Sequence, residues 1–323
     1  MFHVKTTLLG CGRWASFLAW YSARLGHNVL IWGREESERY QSLKSTRKNE
    51  YVELQDNIQL TSDLEEAINF SQRIIISINA QNLRELCGKI KEHNYEGKTF
   101  ILNMKGIEIS TGMRLSQVVE DVLGDNINVC VWVGPGHAED FTRDIPNCMV
   151  VSSKKDEVMN DVVNTYKSNL IRFYKNDDLI GVEIGAAAKN VVGIAAGILD
   201  GLNLSSLKGA LMSRGVTEVA RLITAMGGKG SSSFGLSHLG DYEATLFSAH
   251  SHNRSYGENL VKDIKTTKLA EGVYTSEALL KIGKKLNVDL PITNAIYNVI
   301  YNKVCIKSAL DELFNRELKN EIW

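Results

Sequence analysis

The feature that most constrains this chain is a glycine turn near its N-terminus, GCGRWA at residues 10–15. The turn follows an apolar run, Val4–Leu9, that predicts a strand, and it opens the helical pattern of Trp14–Leu25. Gly10 permits a tight turn, Gly12 lets the backbone approach a pyrophosphate, and the helix N-terminus attracts that anion. We therefore expect a strand–turn–helix unit that binds a dinucleotide. The alternative is a glycine-rich turn that only closes such a unit.

Strands alternate with helices through the first half of the chain. The further predicted strands are Asn28–Trp32, Arg73–Ile78, Thr99–Leu102, Val129–Val133, Cys148–Ser152 and Ile171–Tyr174. The further predicted helices are Asp63–Phe70, Asn82–Lys91, Met113–Leu123 and Lys155–Ser168. This alternation indicates βαβ units and a mostly parallel, Rossmann-type sheet, so the fold class is α/β.

The second half of the chain shows long helical periodicities and no convincing strand alternation. Its predicted helices are Leu179–Leu199, Leu207–Met226, Thr275–Leu286 and Ile292–Val304. A short polar turn, Asn176–Asp178, separates the two regimes. We predict an NAD(P)-binding domain over residues 1–178 and an all-helical domain for substrate binding and catalysis over residues 179–323.

The net charge and the cysteine content indicate which binding partners are excluded and in which cellular compartment the chain is expected. Lys and Arg total 37 against 38 Asp and Glu, a net charge of −1, and a general nucleic-acid binder would need a basic excess. The five cysteines form no CxxC pair, so we expect reduced thiols in the cytoplasm and no metal site. The N-terminus lacks a signal-peptide pattern. The most apolar window carries Glu183 and Lys189, which argues against a membrane span.

The end of the second predicted strand bears on the choice of nicotinamide cofactor. NAD-selective folds usually place an acid there for the ribose hydroxyls, whereas this strand ends in tryptophan and continues Gly33-Arg34-Glu35. Arg34 could hold a 2′-phosphate by charge-assisted hydrogen bonds. The alternative is an exposed arginine paired with Glu35 or Glu38. NADP(H) is favoured, and NAD(H) stays open.

A lysine in an apolar helix is the strongest candidate for chemistry. Lys189 lies in a stretch that is apolar nearly all round, which is typical of a buried helix. Because burial disfavours an ammonium, we expect its pKa to fall towards neutrality, which suits a general acid–base at a carbonyl oxygen. The alternatives are a lysine that reaches the surface or one that pairs with Glu183. Small neighbouring residues leave room for a ligand and favour the first interpretation.

Two further segments follow predicted strands, where ligands bind in open α/β sheets. Lys105 comes just after Thr99–Leu102 and is placed to meet cofactor or substrate. The run Gly134-Pro135-Gly136-His137-Ala138-Glu139 follows the next strand and predicts either a backbone N–H cradle or a turn into a helix. His137 alone is more typical of a helix cap or a surface residue than of a catalyst.

Together these motifs resemble the bacterial type of NAD(P)-dependent glycerol-3-phosphate dehydrogenase, nearly end to end. The resemblance rests on the glycine turn with Trp14, Met104-Lys105-Gly106-Ile107-Glu108, Gly134-Pro135, Ala138-Glu139, Ala188-Lys189-Asn190, Ser213-Arg214-Gly215, Leu239-Gly240-Asp241, Asn253-Arg254 and Glu271-Gly272. It implies reversible reduction of dihydroxyacetone phosphate to sn-glycerol 3-phosphate, the precursor of glycerophospholipids, by hydride transfer from NAD(P)H. It also implies Lys189 as the proton donor and acceptor at the C2 oxygen.

The resemblance implies binding residues as well. Those for the phosphorylated substrate are Lys105, Gly134, Gly136, Asn190, Asp241, Thr245, Ser251, His252 and Asn253. Those for the cofactor are Gly10, Gly12, Arg13, Trp14, Arg34, Lys105, Ala138, Arg254 and Glu271, the last near the nicotinamide ribose.

The chain departs from the family pattern at several of these positions. The family usually has arginine at His252, whose planar fork a histidine cannot reproduce. Either Arg254 compensates, or phosphate affinity is weakened and depends on pH. The family usually has serine at Arg13 and at Gly136, and its Val-Pro-Ser turn is replaced by Ile78-Asn79-Ala80.

Two other functions stay open at this point. One is a related two-domain reductase of another small carbonyl substrate, which His252 motivates. The other is a catalytically silent NADP-binding sensor, against which the intact set of Lys105, Lys189 and Asp241 argues. A helical second domain of this kind often supports a homodimer.

Overall fold

The computed structural model describes residues 4–265, 270–318 and 320–321, and its first half holds one eight-stranded sheet. The strands are β1 Lys5–Leu9, β2 Asn28–Trp32, β3 Ile58–Thr61, β4 Arg73–Ile76, β5 Thr99–Leu102, β6 Asn128–Val133, β7 Asn147–Ser152 and β8 Ile171–Asn176. Their order is β3-β2-β1-β4-β5-β6-β7-β8, and every neighbouring pair is parallel except β6 with β7. The predicted mostly parallel sheet is confirmed.

Helices cover both faces of this sheet. They are α1 Arg13–Arg24, α2 Glu38–Thr46, α3 Leu64–Phe70, α4 Leu83–Ile90, α5 Leu115–Leu123, α6 Ala138–Phe141 and α7 Asp156–Tyr166. Because side chains of a strand alternate between faces, Ile75 joins the core on one side while Ile74 and Ile76 join the core on the other. Burial on both faces explains why the central strands are continuous apolar runs rather than alternating ones.

Beyond Asp178 the described residues contain helices and no strand. These helices are α8 Leu179–Gly201, α9 Lys208–Ala225, α10 His252–Val261, α11 Glu271–Leu286, α12 Pro291–Tyr301 and α13 Ile306–Phe314. The central helix α8 packs against α9, α10, α11 and α12. It is long and apolar enough to span a membrane, but 94% of its most apolar window is buried inside the protein. It is therefore the core of the helical region.

Several elements differ from the sequence-based expectation. The helices α2, α6, α10 and α13 and the strand β3 were not predicted, and the strand predicted over Arg73–Ile78 ends at Ile76. Helix α2 buries only Tyr40 and Leu43, so it lacks the apolar stripe that reveals a helix. Helix α10 buries only Gly257 among its ten residues. Elements with so little apolar periodicity leave a weak sequence signal.

A buried ion pair fastens α8 to the sheet-containing half of the molecule. The Arg114 guanidinium contacts the Glu183 carboxylate, and both side chains are almost fully buried. Ser116 adds a backbone N–H at 2.8 Å and a hydroxyl at 2.7 Å to the same carboxylate. Glu183 therefore pairs with Arg114, and the alternative that it pairs with Lys189 is wrong.

We predict that Glu183→Ala destabilises the protein by about 3–5 kcal/mol, because it leaves the buried Arg114 charge uncompensated. The matched control is Glu85→Ala, which removes an exposed i,i+4 pair with Lys89 and should change little. Denaturant unfolding of both variants measures the difference. Equal midpoints for the two variants would contradict the role given to the buried pair.

Candidate active site

The glycine turn lies where the strand order of the sheet reverses, between β1 and β4. Gly10 has φ +126°, and a Cβ there would lie 2.3 Å from the Ser77 carbonyl oxygen, so only glycine fits this crossing. Gly12 caps the start of α1, and a Cβ built on it would meet only the Arg39 guanidinium, at 3.6 Å. The helix N-terminus is thus open to an anionic ligand, which fits the pyrophosphate of a dinucleotide.

Arg13, the first residue of α1, connects the turn to the helical half. Its guanidinium pairs with Glu139 and lies 4.9 Å from the centre of the Tyr51 ring. It also donates to His137 Nδ1 at 3.2 Å and to the His250 carbonyl at 3.5 Å. The Arg13 guanidinium is therefore fixed between the glycine turn and the His250 segment of the helical half, a place that we call the mouth of the cleft.

Trp14 and the segment after β6 pack beneath this mouth. The Trp14 ring contacts Phe17 and Phe141, with centroids 4.9 and 6.2 Å away, and so anchors the start of α1. Gly136 has φ +130°, and a Cβ there would lie 2.5 Å from the Phe141 ring. Serine, the residue that the resemblance leads one to expect at this position, would not fit without a shift of that ring. Ala138 is the buried first residue of α6.

His137 occupies the N-cap position of α6 and is held neutral. Burial and the nearby Arg13 charge lower its pKa to about 4. Its Nε2 donates to the Ala244 carbonyl at 3.1 Å, so its Nδ1 accepts from Arg13. The helix-cap position agrees with the sequence-based interpretation, and the lowered pKa makes His137 a poor proton donor near pH 7.

The loop after β2 bears on the choice between NAD(H) and NADP(H). Arg34 is 58% exposed, as in the alternative interpretation, but its nearest carboxylate is Glu36 at 3.7 Å, so the pairing with Glu35 or Glu38 in that alternative is wrong. Glu35 pairs instead with Lys44 at 3.0 Å. Arg39, which sequence reasoning missed because α2 was missed, lies beside the glycine turn. Arg34 on this loop and Arg39 on α2 thus both lie near the glycine turn.

A carboxylate shared by two lysines lies at the centre of the candidate site. Lys189, buried in α8, places its Nζ 3.0 Å from the Asp241 carboxylate and donates to Thr245 Oγ1 at 2.6 Å. Lys105 Nζ lies 2.6 Å from the same carboxylate oxygen and donates to the Gly134 carbonyl at 3.0 Å. Thr245 lies in a π-helical turn, Glu243–Phe247, a rare geometry that is frequent at functional sites.

Burial determines the proton affinity of this cluster. It lowers the pKa of Lys189 from its ordinary 10.5 to about 8, and the Lys105 ammonium acts in the same direction. The Asp241 carboxylate opposes the shift and prevents a larger one. An amine that titrates near pH 8 can both give and take a proton under physiological conditions.

A chain of amide contacts joins this cluster to α10 and α11. Asn190 Nδ2 donates to the Lys105 carbonyl at 3.2 Å, and Asn253 Nδ2 donates to Asn190 Oδ1 at 3.1 Å. The Gly272 N–H donates to Asn253 Oδ1 at 2.9 Å. The neighbouring Glu271 carboxyl has a buried oxygen with no hydrogen-bond partner among the described residues, and burial raises its pKa to about 7. An unpaired acceptor at this place fits a ribose hydroxyl.

Only some of the ligand-binding residues that the resemblance implies at the start of α10 face the lysine cluster. Ser251 is the N-cap and accepts from the Arg254 N–H at 3.3 Å, and His252 is the exposed first residue of the helix. The Arg254 guanidinium is held by Asp200 at 2.9 Å and Glu258 at 3.3 Å. Asp200 lies eleven residues beyond Lys189 on α8, roughly 16 Å along the helix. Arg254 therefore points away from the lysine cluster.

A separate apolar cavity of about 510 Å³ lies in the helical region, among α8, α9, α12 and α13. Two arginines at its edge donate to backbone carbonyls, Arg214 to Glu321 and Arg221 to Asp289. None of the candidate site residues lines it. The cavity is therefore separate from the lysine cluster.

Comparisons with known proteins point to one family over nearly the whole chain. The family model described as NAD-dependent glycerol-3-phosphate dehydrogenase N-terminus matches residues 5–159, and its C-terminus counterpart matches residues 178–311. A Staphylococcus aureus (strain JH9) protein named glycerol-3-phosphate dehydrogenase [NAD(P)+] is 34% identical over 331 aligned positions. That alignment covers 98% of this chain and 99% of the relative.

Solved structures show the same architecture. The glycerol-3-phosphate dehydrogenase of Coxiella burnetii superposes with a TM-score of 0.90 at 27% identity, covering 98% of this chain and all of that one. A ketopantoate reductase from Ralstonia eutropha gives 0.61 at 12% identity, covering 97% of this chain and all of that one. The second likeness shows a shared fold alone.

Proposed function

The chain belongs to the NAD(P)-dependent glycerol-3-phosphate dehydrogenase family, and from this membership we propose which of its residues carry the reaction. The enzyme interconverts dihydroxyacetone phosphate and sn-glycerol 3-phosphate. The observation that carries the residue assignment is the cluster of Lys189, Asp241 and Lys105, in which Lys189 and Asp241 are buried. The likeness to the ketopantoate reductase gives no separate support for another substrate.

Lys189 is the proposed proton donor and acceptor. A bound nicotinamide supplies or takes the hydride at C2 of the substrate. In the reducing direction, the Lys189 ammonium gives a proton to the C2 oxygen as charge develops there. In the oxidising direction, the neutral amine takes that proton back. Asp241 and Thr245 orient Nζ, and both lie within hydrogen-bond reach of it.

The substrate phosphate is proposed to bind where α10 begins. Ser251, His252 and Asn253 stand at that helix N-terminus, where the positive end of the helix dipole favours an anion. Lys105 supplies a cation, and the N–H groups of Gly134 and Gly136 supply further donors. Asn190 fixes the Lys105 backbone through its side-chain amide.

The cofactor is proposed to lie along the carboxyl edge of the sheet. Its pyrophosphate would rest on Gly10, Gly12 and the start of α1, with charge supplied by Arg13 and a backbone donor by Ala138. Trp14 stabilises the turn, and Glu271 accepts from the nicotinamide ribose. Arg254, expected from the resemblance to bind cofactor, acts through the fixed position of α10 because two carboxylates hold its side chain.

NADP(H) is the proposed preferred cofactor, with NAD(H) as the second. The support is that Arg34 lies in the loop after β2, where a 2′-phosphate would bind, and that Arg39 lies on the helix that follows it. We propose further that residues 1–178 form the cofactor domain and residues 179–323 the substrate domain. A cytoplasmic homodimer is the form in which we expect the enzyme to work.

We predict that Lys189→Met lowers kcat for dihydroxyacetone phosphate by about 10²–10⁴-fold, because it removes the general acid. NADPH binding, measured by fluorescence titration, should stay nearly intact. The matched control is Lys98→Met, which removes another buried lysine, one that donates to the Ser71 carbonyl at the opposite edge of the sheet. Turnover by Lys189→Met close to wild type would overturn the assigned role.

The pH dependence of the wild-type enzyme should report the titration of Lys189. Reduction needs the ammonium, so its kcat/KM should fall as pH rises through about 8, while oxidation needs the amine, so its kcat/KM should rise through the same range. Initial rates in both directions across pH 6 to 10 measure this. Limbs that move in the same direction would contradict a single lysine that serves both reactions.

We predict that Arg34→Leu lowers kcat/KM for NADPH by about tenfold and leaves that for NADH unchanged. Adding Arg39→Leu should lower the NADPH value further. Arg172→Leu, an exposed arginine on β8, is the control. A strong preference of the wild-type enzyme for NADH would refute the assignment.

We predict that His252→Arg lowers KM for dihydroxyacetone phosphate, because a guanidinium grips phosphate with two parallel hydrogen bonds. His93→Arg adds the same charge near the opposite edge of the sheet, and its KM should match that of wild type. An unchanged KM in His252→Arg would show that another group already grips the phosphate.

A further inference from the structure

Asp241 rests on a buried, neutral pair of side chains that the reaction itself does not require. His238 and Tyr242 flank the short turn Leu239–Asp241, and both are fully buried. The Tyr242 hydroxyl lies 2.7 Å from His238 Nε2, and His238 Nδ1 lies 2.8 Å from the Gly185 carbonyl oxygen. A polar pair in a dry interior is costly unless each group is satisfied, and here each is.

The direction of the hydrogen bonds follows from chemistry. A carbonyl oxygen can only accept, so His238 Nδ1 carries the proton and donates to Gly185. Burial lowers the pKa of His238 to about 4, so the ring is neutral and Nε2 accepts from the Tyr242 hydroxyl. Burial also raises the pKa of Tyr242, which keeps the phenol protonated. The pair is thus uncharged throughout the working range.

The Gly185 carbonyl connects the His238–Tyr242 pair to Lys189, the proposed proton donor. In an α-helix the carbonyl of residue 185 also accepts the backbone N–H of residue 189, so His238 binds the turn of α8 that carries Lys189. Asp241 lies between His238 and Tyr242 along the chain, and its N–H donates to the His238 carbonyl at 3.0 Å. The carboxylate and the ammonium are therefore held by one short chain of bonds.

A third helix confines the pair. A Cβ built on Gly215 of α9 would lie 2.8 Å from the Tyr242 hydroxyl, so that hydroxyl fills the space beside the glycine. The Tyr242 ring also packs edge-on against His238, with centroids 4.8 Å apart. Contacts from α8, α9 and the 238–242 turn thus converge on one geometry.

We propose that His238 and Tyr242 are positioning residues that fix Asp241 against Lys189, an inference that rests on the proposed role of Lys189. The charged and titratable groups that act on Lys189 are Asp241, Lys105, His137 and His238. Of these, Asp241 raises the pKa of Lys189. A displaced Asp241 raises it less, so loosening the pair moves the titration of Lys189 to lower pH.

The test is Tyr242→Phe, which removes one hydroxyl and keeps the ring. We expect kcat for reduction at pH 8 to fall about tenfold, because small misplacements of a reacting group are costly. The alkaline limb of the profile should move about 0.5–1 unit towards lower pH, and KM for NADPH should stay constant. Tyr166→Phe is the control, since that buried hydroxyl contacts Thr6 Oγ1 at 3.0 Å in the sheet-containing half.

A second pair of variants separates positioning from general damage. Gly215→Ala should reproduce the shift by crowding the hydroxyl, and Gly215→Ala with Tyr242→Phe should be no worse than Tyr242→Phe alone. Additive effects, or a kcat that falls equally at every pH, would overturn the proposal. So would an unchanged profile in Tyr242→Phe. Failure of the wild-type enzyme to turn over dihydroxyacetone phosphate would instead refute the residue assignment on which the proposal rests.

Discussion

The proposed active site depends on one buried carboxylate, Asp241, that is shared between two lysines. Lys189 belongs to the helical region and Lys105 follows a strand of the sheet, so the shared carboxylate also joins the two halves. Two ammonium groups this close would repel each other in a medium of low dielectric constant. One carboxylate cannot neutralise both, and the cluster keeps a net positive charge. That residual charge suits a phosphorylated substrate whose C2 oxygen becomes an anion during reduction.

Apolar periodicity and local motifs could predict the secondary-structure elements that carry this site. The glycine turn, the buried helix and Lys105 after its strand are each visible within a dozen residues of sequence. The partner of Lys189 is not, because Thr245 lies 56 positions further along the chain and Asp241 is equally remote. Helical geometry could have excluded Glu183, since side chains six residues apart do not share a face. Its true partner, Arg114, again comes from a distant segment.

The parts that escaped prediction share a physical cause. Helices α2 and α10 bury few apolar side chains, and their stability comes from what they contact rather than from an apolar stripe. Asn253 on α10 bridges Asn190 and the Gly272 N–H, a polar contact that no hydropathy pattern encodes. The consequence for function is direct, because Arg39 and His252 lie on these helices. Two positions proposed to bind anions therefore lie on helices that apolar periodicity did not reveal.

The near-neutral charge of the chain makes the placement of each cation matter. With no global basic excess, the attraction of two phosphorylated ligands must come from groups fixed at the cleft. The structure fixes Arg13 at the mouth through Glu139 and Lys105 through Asp241, while it commits Arg254 to Asp200 and Glu258. Arg13 and Lys105 thus each keep a carboxylate partner, which limits their desolvation cost when no ligand is bound. The phosphate must compete with those carboxylates, so the geometry of the pairs, more than the number of cations, governs affinity.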